Sequence, residues 1–127
     1  MSGAGQALPT TRSRGQEAES LAARHLESIG YRVVERNFRT KSGEVDLIAW
    51  DGDVLCFVEV RSRATDELGH PLETIGRDKV RRVVRAAREY LTTIDGPWPE
   101  MRFDAVGIVM STPPAVTLVR GAFEAHA

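Results

Sequence analysis

The sequence predicts an α/β domain in which one mixed central sheet is flanked by helices, in the order α-β-β-β-α-β-β. Two stretches carry apolar residues at steps of three and four, as a helix face requires. Five others are short, rich in Val or aromatic residues and bounded by Gly, Asp or Pro. The two kinds interleave along 127 residues, a length that suits one core and not two.

Residues 1–12 show no periodic apolar pattern and read as a flexible tail, leaving 13–127 as a single domain. From Arg14 onward, Ala18, Leu21, Ala22, His25, Leu26 and Ile29 fall on one helical arc, and Gly30 supplies the stop. Tyr31 to Phe38 reads as the first strand, and the loop from Arg39 to Gly43 leads to a second, Glu44 to Ala49. The turn signal Asp51-Gly52-Asp53 then joins it to a third, Val54 to Arg61. After a loop from Thr65 to Pro71, the spacing of Leu72, Gly76, Val80, Val83, Val84, Ala87 and Leu91 predicts a second helix over 72–91. Gly96, Pro97 and Pro99 break that pattern. Arg102 to Met110 gives a fourth strand, and Pro113-Pro114 a turn before a short fifth, Val116 to Val119.

Hydrophobic residues make up 42% and charged residues 28%, which excludes a wholly disordered chain. Seventeen basic against eighteen acidic residues leave a net charge of -1, so a nucleic-acid partner can be argued only from local charge. A single cysteine, Cys56, lies in an apolar run and reads as a small buried hydrophobe. No stretch approaches the roughly 20 apolar residues of a membrane span, and the expected location is the cytoplasm.

Alternation along the third strand points Val54, Cys56, Val58 and Val60 to one face, and Leu55, Phe57, Glu59 and Arg61 to the other. A carboxylate and a guanidinium thus sit among bulky apolar groups, which is costly unless they are used. In the second strand Val45, Leu47 and Ala49 share one face, and Glu44, Asp46 and Ile48 the other. A two-residue turn at Asp51-Gly52 sets Glu44 opposite Glu59 and Asp46 opposite Phe57; a longer loop sets Asp46 opposite Glu59. Either register gathers Asp46, Glu59 and Arg61. Repulsion among Glu44, Asp46 and Glu59 would be relieved by a divalent cation, and Asp46, Glu59 and the main-chain carbonyl of Val60 suit Mg²⁺. The competing view is an exposed sheet edge where the acids pair with Arg61 and Arg63. Glu19 lies at the border of the first helix's apolar arc, where it is either solvated or leans into the site.

The second helix carries Arg77, Arg81, Arg85 and Arg88 on one stripe, able to neutralise phosphates or simply to be solvated beside Asp78 and Glu89. None of the three histidines has a partner at zinc spacing: His25 lies in the helix arc, His70 in a loop that could overhang the acids, and His126 near the end. No Gly-rich phosphate loop or nucleophilic triad is visible.

Gly15-x-x-x-Glu19, Glu44-Val45-Asp46-Leu47-Ile48-Ala49 and Phe57-Val58-Glu59-Val60-Arg61-Ser62-Arg63 together resemble the YraN family of bacterial proteins. Tyr31, Arg36-Asn37, Lys79, Tyr90-Leu91, Arg102-Phe103-Asp104 and Ala122-Phe123 extend the likeness over nearly the whole chain from Arg14. That family in turn looks like a branch of the PD-(D/E)xK nucleases and is similar to archaeal Holliday-junction resolvases. The resemblance implies a restriction-endonuclease-like fold and Mg²⁺- or Mn²⁺-assisted hydrolysis of phosphodiesters in branched DNA, during repair or recombination, by a protein that pairs as a homodimer. It assigns Asp46 and Glu59 to the metal, Glu19 to a second ion or water, and Arg61 to the position of the motif lysine. Arg cannot surrender its proton, so this departure leaves a catalytically silent DNA-binding or protein-interaction domain as the alternative. Lys79, on the flank of the second helix's apolar arc, is the candidate to replace the missing lysine and, with the arginine stripe, to contact nucleic acid.

Overall fold

In a computed structural model, residues 11–125 are described, so most of the expected tail and His126 lie outside the described residues. The elements are α1 (Thr11–Ser28), β1 (Arg32–Arg39), β2 (Glu44–Asp51), β3 (Val54–Arg63), a 3₁₀ turn η1 (Pro71–Thr74), α2 (Arg77–Leu91), β4 (Glu100–Val109) and β5 (Ala115–Phe123). They build one five-stranded sheet in the order β1-β2-β3-β4-β5, with a helix on each face. Every neighbouring pair is antiparallel except β3 and β4, whose parallel pairing requires the long crossover that η1 and α2 provide.

Ala18, Ala22, Ala23 and Leu26 of α1 pack on Leu47, Ala49, Cys56, Val58, Val106 and Ile108. The helix ends at Ser28, where Tyr31 N–H reaches back to the Leu26 carbonyl around Gly30, whose φ of 101° suits glycine. Ile29, expected on the apolar arc, is therefore carried out to solvent. On the opposite face Val83, Val84, Ala87 and Leu91 of α2 cover Val45, Ile48, Leu55, Phe57 and Phe103. Both faces of β3 are thus core, and each fully buried Leu or Phe contributes about 1.5–3 kcal/mol.

Three expectations need correction. The second helix starts at Arg77, not Leu72: Pro71 lacks an amide, the His70 ring caps η1, and the extended Gly76 separates the two elements. The last strand runs to Phe123 rather than Val119, because Gly121 at φ 64° accompanies a register shift that keeps Phe123 paired with Phe103. The β2–β3 turn is two residues long but displaced by one, Gly52-Asp53, with Asp51 opposite Val54. The paired register ends at Leu47 opposite Val58, one residue short of Asp46 and Glu59.

Close approach also fixes two glycines. A Cβ on Gly43 would lie 1.8 Å from the Arg82 carbonyl oxygen, so the β1–β2 loop abuts α2 directly. A Cβ on Gly107 would fall 2.7 Å from His70 Cε1 and 2.8 Å from Leu72 Cγ, so η1 is seated on β4.

Candidate functional site

The β2–β3 pairing stops at Leu47 and Val58. One step further, the Val60 amide donates to Asp46 Oδ2 at 2.8 Å, so a carboxylate takes up strand backbone. The alternation of β2 slips at the same place. Val45 packs on the α2 side with Ile48, while Leu47 and Ala49 pack on the α1 side, so the expected grouping of Val45 with Leu47 and Ala49 is wrong. An irregular strand end is what turns Asp46 toward Glu59.

Glu59 is 1% exposed, the β3 residue next to where pairing ends. Its Oε2 lies 3.1 Å from Arg61 Nε and 3.6 Å from Lys79 Nζ, but Oε1 accepts from no donor. Arg61 Nε is also unbonded, because its approach to Oε2 lacks hydrogen-bond geometry. Burial, then the charge and hydrogen bond of Asp46, push the Glu59 carboxyl up to about 9, against the pull of Lys79 and Arg61. Burial and Asp46 together therefore outweigh two nearby cations.

Lys79 reaches from α2 to the sheet and joins two acids, donating to Glu44 Oε1 at 3.0 Å while facing Glu59. That bond holds Glu44 below the usual carboxylate range, with Arg82 and Arg39 assisting against partial burial. Glu19 of α1 is half-buried. Its carboxyl is raised by burial and by the charge of Asp46, and eased by a hydrogen bond from Asn37, a β1 residue at φ 54°. Asp46 is thus felt by Glu19 on one side and Glu59 on the other. Among the described residues no group of three or more His, Cys, Asp and Glu is close enough to hold a metal by itself.

The expected metal set is therefore only partly assembled. Asp46 and Glu59 come together, Glu19 borders them, and the Val60 amide is bonded to Asp46. Two carboxylates, one with a buried and unpartnered oxygen, still fit Mg²⁺ or Mn²⁺, since Mg²⁺ commonly takes one or two protein carboxylates and completes its shell with water and phosphate. Arg77, Arg81, Arg85 and Arg88 are not brought to the acids. They line an open groove of about 660 Å³ on another flank of α2, and Arg81 is paired with Asp78 at 2.9 Å. His70 does not serve the acids in the way its loop position suggested: its Nδ1 accepts the Leu72 amide and its ring rests on Gly107. His25 is half-buried at the core edge, as its arc position implied.

A second polar cluster had no role in the sequence reading. Asp104 of β4 is fully buried, and both its oxygens are bonded, by Tyr31 Oη at 2.8 Å, by Arg102 Nε at 2.7 Å and by the Gly121 amide at 3.0 Å. Arg102 also reaches Asp51 at 2.8 Å, and Arg120 adds a bond to Tyr31 Oη. Burial alone would raise Asp104, but Arg102, Gly121 and Tyr31 hold it below the usual carboxylate range. Burial and Asp104 push the Tyr31 phenol up to about 12. The signal for this cluster was present, since Asp104 interrupts an apolar strand as Glu59 does. The two differ in satisfaction: Asp104 is saturated and structural, whereas Glu59 keeps an open oxygen.

The model of the uncharacterised protein family UPF0102 matches residues 18–108. A UPF0102 protein of Dechloromonas aromatica is 52% identical over 101 residues, covering 80% of this chain and 82% of the relative. One from an Anaeromyxobacter species is 47% identical over 114 residues, covering 89% and 86%. A third, from Chlorobaculum tepidum, is 47% identical over 95 residues, covering 75% and 74%. The matched segment contains Glu19, Asp46, Glu59, Lys79 and Asp104. This chain belongs to family UPF0102, the YraN family.

Proposed function

We propose that the protein is a metal-dependent endonuclease that hydrolyses phosphodiesters in branched DNA, acting in the cytoplasm in repair or recombination. The observation that carries this reading is the pairing of Asp46 with a buried Glu59 whose Oε1 has no partner, at the end of a strand ladder. Asp46 and Glu59 would hold Mg²⁺ or Mn²⁺, which when bound lowers the pKa of water and neutralises charge on the phosphate. Arg61, always protonated, donates hydrogen bonds and positive charge to the phosphate undergoing attack. Lys79 takes the role of the motif lysine, its Nζ 3.6 Å from Glu59 Oε2, and orients the attacking water. Glu19 acts through Asp46, whose charge it senses. The substrate class rests on the likeness to junction resolvases, and a two-fold dimer would match the two symmetric strands of a junction.

A second reading, a silent nuclease-like domain that binds DNA or a protein, is favoured by Arg61 standing where the motif has lysine and sitting 3.1 Å from Glu59. Purified protein incubated with linear, flapped and four-way DNA, with and without Mn²⁺, separates the two. Cleavage that disappears in both Asp46→Ala and Glu59→Ala supports the enzyme. DNA binding without cleavage, unchanged in either variant, supports the silent domain.

A further inference from the structure

We infer that the groove between α2 and β5 is a subsite for an unpaired nucleic-acid strand, so that the acid site works on DNA carrying a single-stranded segment rather than on uninterrupted duplex. This substrate assignment rests on the nuclease reading; the binding site itself does not.

The groove combines two surfaces that one ligand must satisfy together. Its floor is apolar, made by Val80, Val84 and Phe123, with the Phe123 ring stacked on Phe103 at a centroid distance of 5.3 Å. One wall carries Arg77, Arg81, Arg85 and Arg88, opposed by Glu124 at the mouth. From Arg77 to Arg88 the helix rises about 16 Å, the reach of roughly four to five nucleotides of stacked strand. The groove opens into a smaller cavity of about 210 Å³ that shares Ile75, Val80 and Phe123 and extends to Ala105 and Val119. Ala105 pairs with Glu59 across the parallel β3–β4 ladder and with Val119 across the antiparallel β4–β5 ladder. The apolar lining therefore extends as far as the β4 residue paired with Glu59, while Glu59 itself lines neither cavity.

Charge alone would suit duplex DNA, but a duplex hides its base faces and offers only phosphates to a protein surface, leaving an apolar floor unused. An unpaired strand presents phosphates to the arginines and flat base faces to Phe123 and the valines. An acidic peptide matches the wall as well. It has, however, no row of flat faces to lay on the Phe123 ring, which an unpaired strand supplies at each nucleotide.

The test is fluorescence anisotropy on the full chain in EDTA, so that no cleavage intervenes, using labelled oligo-dT, a blunt duplex of the same length and an acidic amphipathic peptide. Oligo-dT is expected to bind most tightly. Phe123→Leu, which keeps apolar contact but removes the ring, should weaken oligo-dT on the order of tenfold and leave the duplex unchanged. Arg85→Glu with Arg88→Glu, both at exposed positions, should weaken oligo-dT and duplex alike, and circular dichroism checks that each variant is folded. Duplex or peptide binding as tight as oligo-dT overturns the proposal, as does oligo-dT binding indifferent to both the ring and the arginines. Because the assay reads binding in EDTA, its outcome is the same whether or not the protein cleaves DNA, so failure of the groove and failure of the nuclease reading are told apart.

Discussion

The open oxygen of Glu59 has a consequence for stability that a titration can measure. Unfolded, this carboxyl releases its proton near 4.5; folded, it keeps it up to about 9. Between those values the folded state holds the extra proton, so the stabilisation is complete at the acid end and is lost as pH rises toward the folded value. One proton of difference corresponds to at most about 1.4 kcal/mol per pH unit, hence up to about 3 kcal/mol between about pH 6 and about pH 8. Glu19 shifts in the same direction, whereas Glu44 and Asp104 are lowered and matter only at acid pH. Tyr31 and Cys56, both raised to about 12, matter only in the alkaline range. Urea unfolding followed by the fluorescence of Trp50 and Trp98 should show wild type losing stability across this window, while Glu59→Gln is flatter by the amount due to Glu59. Mn²⁺ displaces the proton, so it should restore wild type at the alkaline end by about 2.7 kcal/mol at a hundredfold excess over its Kd, and leave Glu59→Gln unmoved. Equal slopes for wild type and Glu59→Gln would refute the raised carboxyl, and equal responses to Mn²⁺ would refute Glu59 as its ligand.

Lys79→Met removes the ammonium shared by Glu44 and Glu59, and kcat/KM on four-way DNA should fall on the order of a hundredfold or more; activity close to wild type would remove Lys79 from the chemistry. Asp104→Ala leaves Arg102 without its buried partner, and urea unfolding should show a loss of about 3–5 kcal/mol. Gly43→Ala forces a Cβ onto the Arg82 carbonyl, and calorimetry should record destabilisation of about 3 kcal/mol, the upper end for overpacking.

Local periodicity made much of this fold legible. Ala18, Ala22 and Leu26 announced α1, and the Val-rich run from Val54 announced β3, because each burial pattern repeats within its own element. Asp46 and Glu59 were legible for the same reason, as charges out of place in apolar strands. What escaped was cooperative between segments. The slip of alternation at Val45 depends on where β2 stops pairing with β3, and nothing in Glu44 to Ala49 marks that point. The start of α2 was misread because Leu72 keeps helical spacing although Pro71 and Gly76 split the run. Asp104 went unassigned because Tyr31 lies 73 residues away in the chain, and only the folded sheet brings them together. Lys79 was found by its flank position, but its two acidic contacts come from β2 and β3.

The Asp104 cluster gives the molecule a late-closing clasp. It joins Tyr31 near the start of the sheet, Asp51 at the β2–β3 turn and Gly121 near the end of β5, so it cannot close until nearly the whole chain has come together. An edge strand with mostly exposed residues, as β5 is, would ordinarily fray on its own. Here, peeling β5 away strips the Gly121 amide from a charge with no access to water, so local opening carries a penalty borne by the interior. Amide hydrogens from Val116 to Val119 should therefore exchange in step with those of β4, as one cooperative unit.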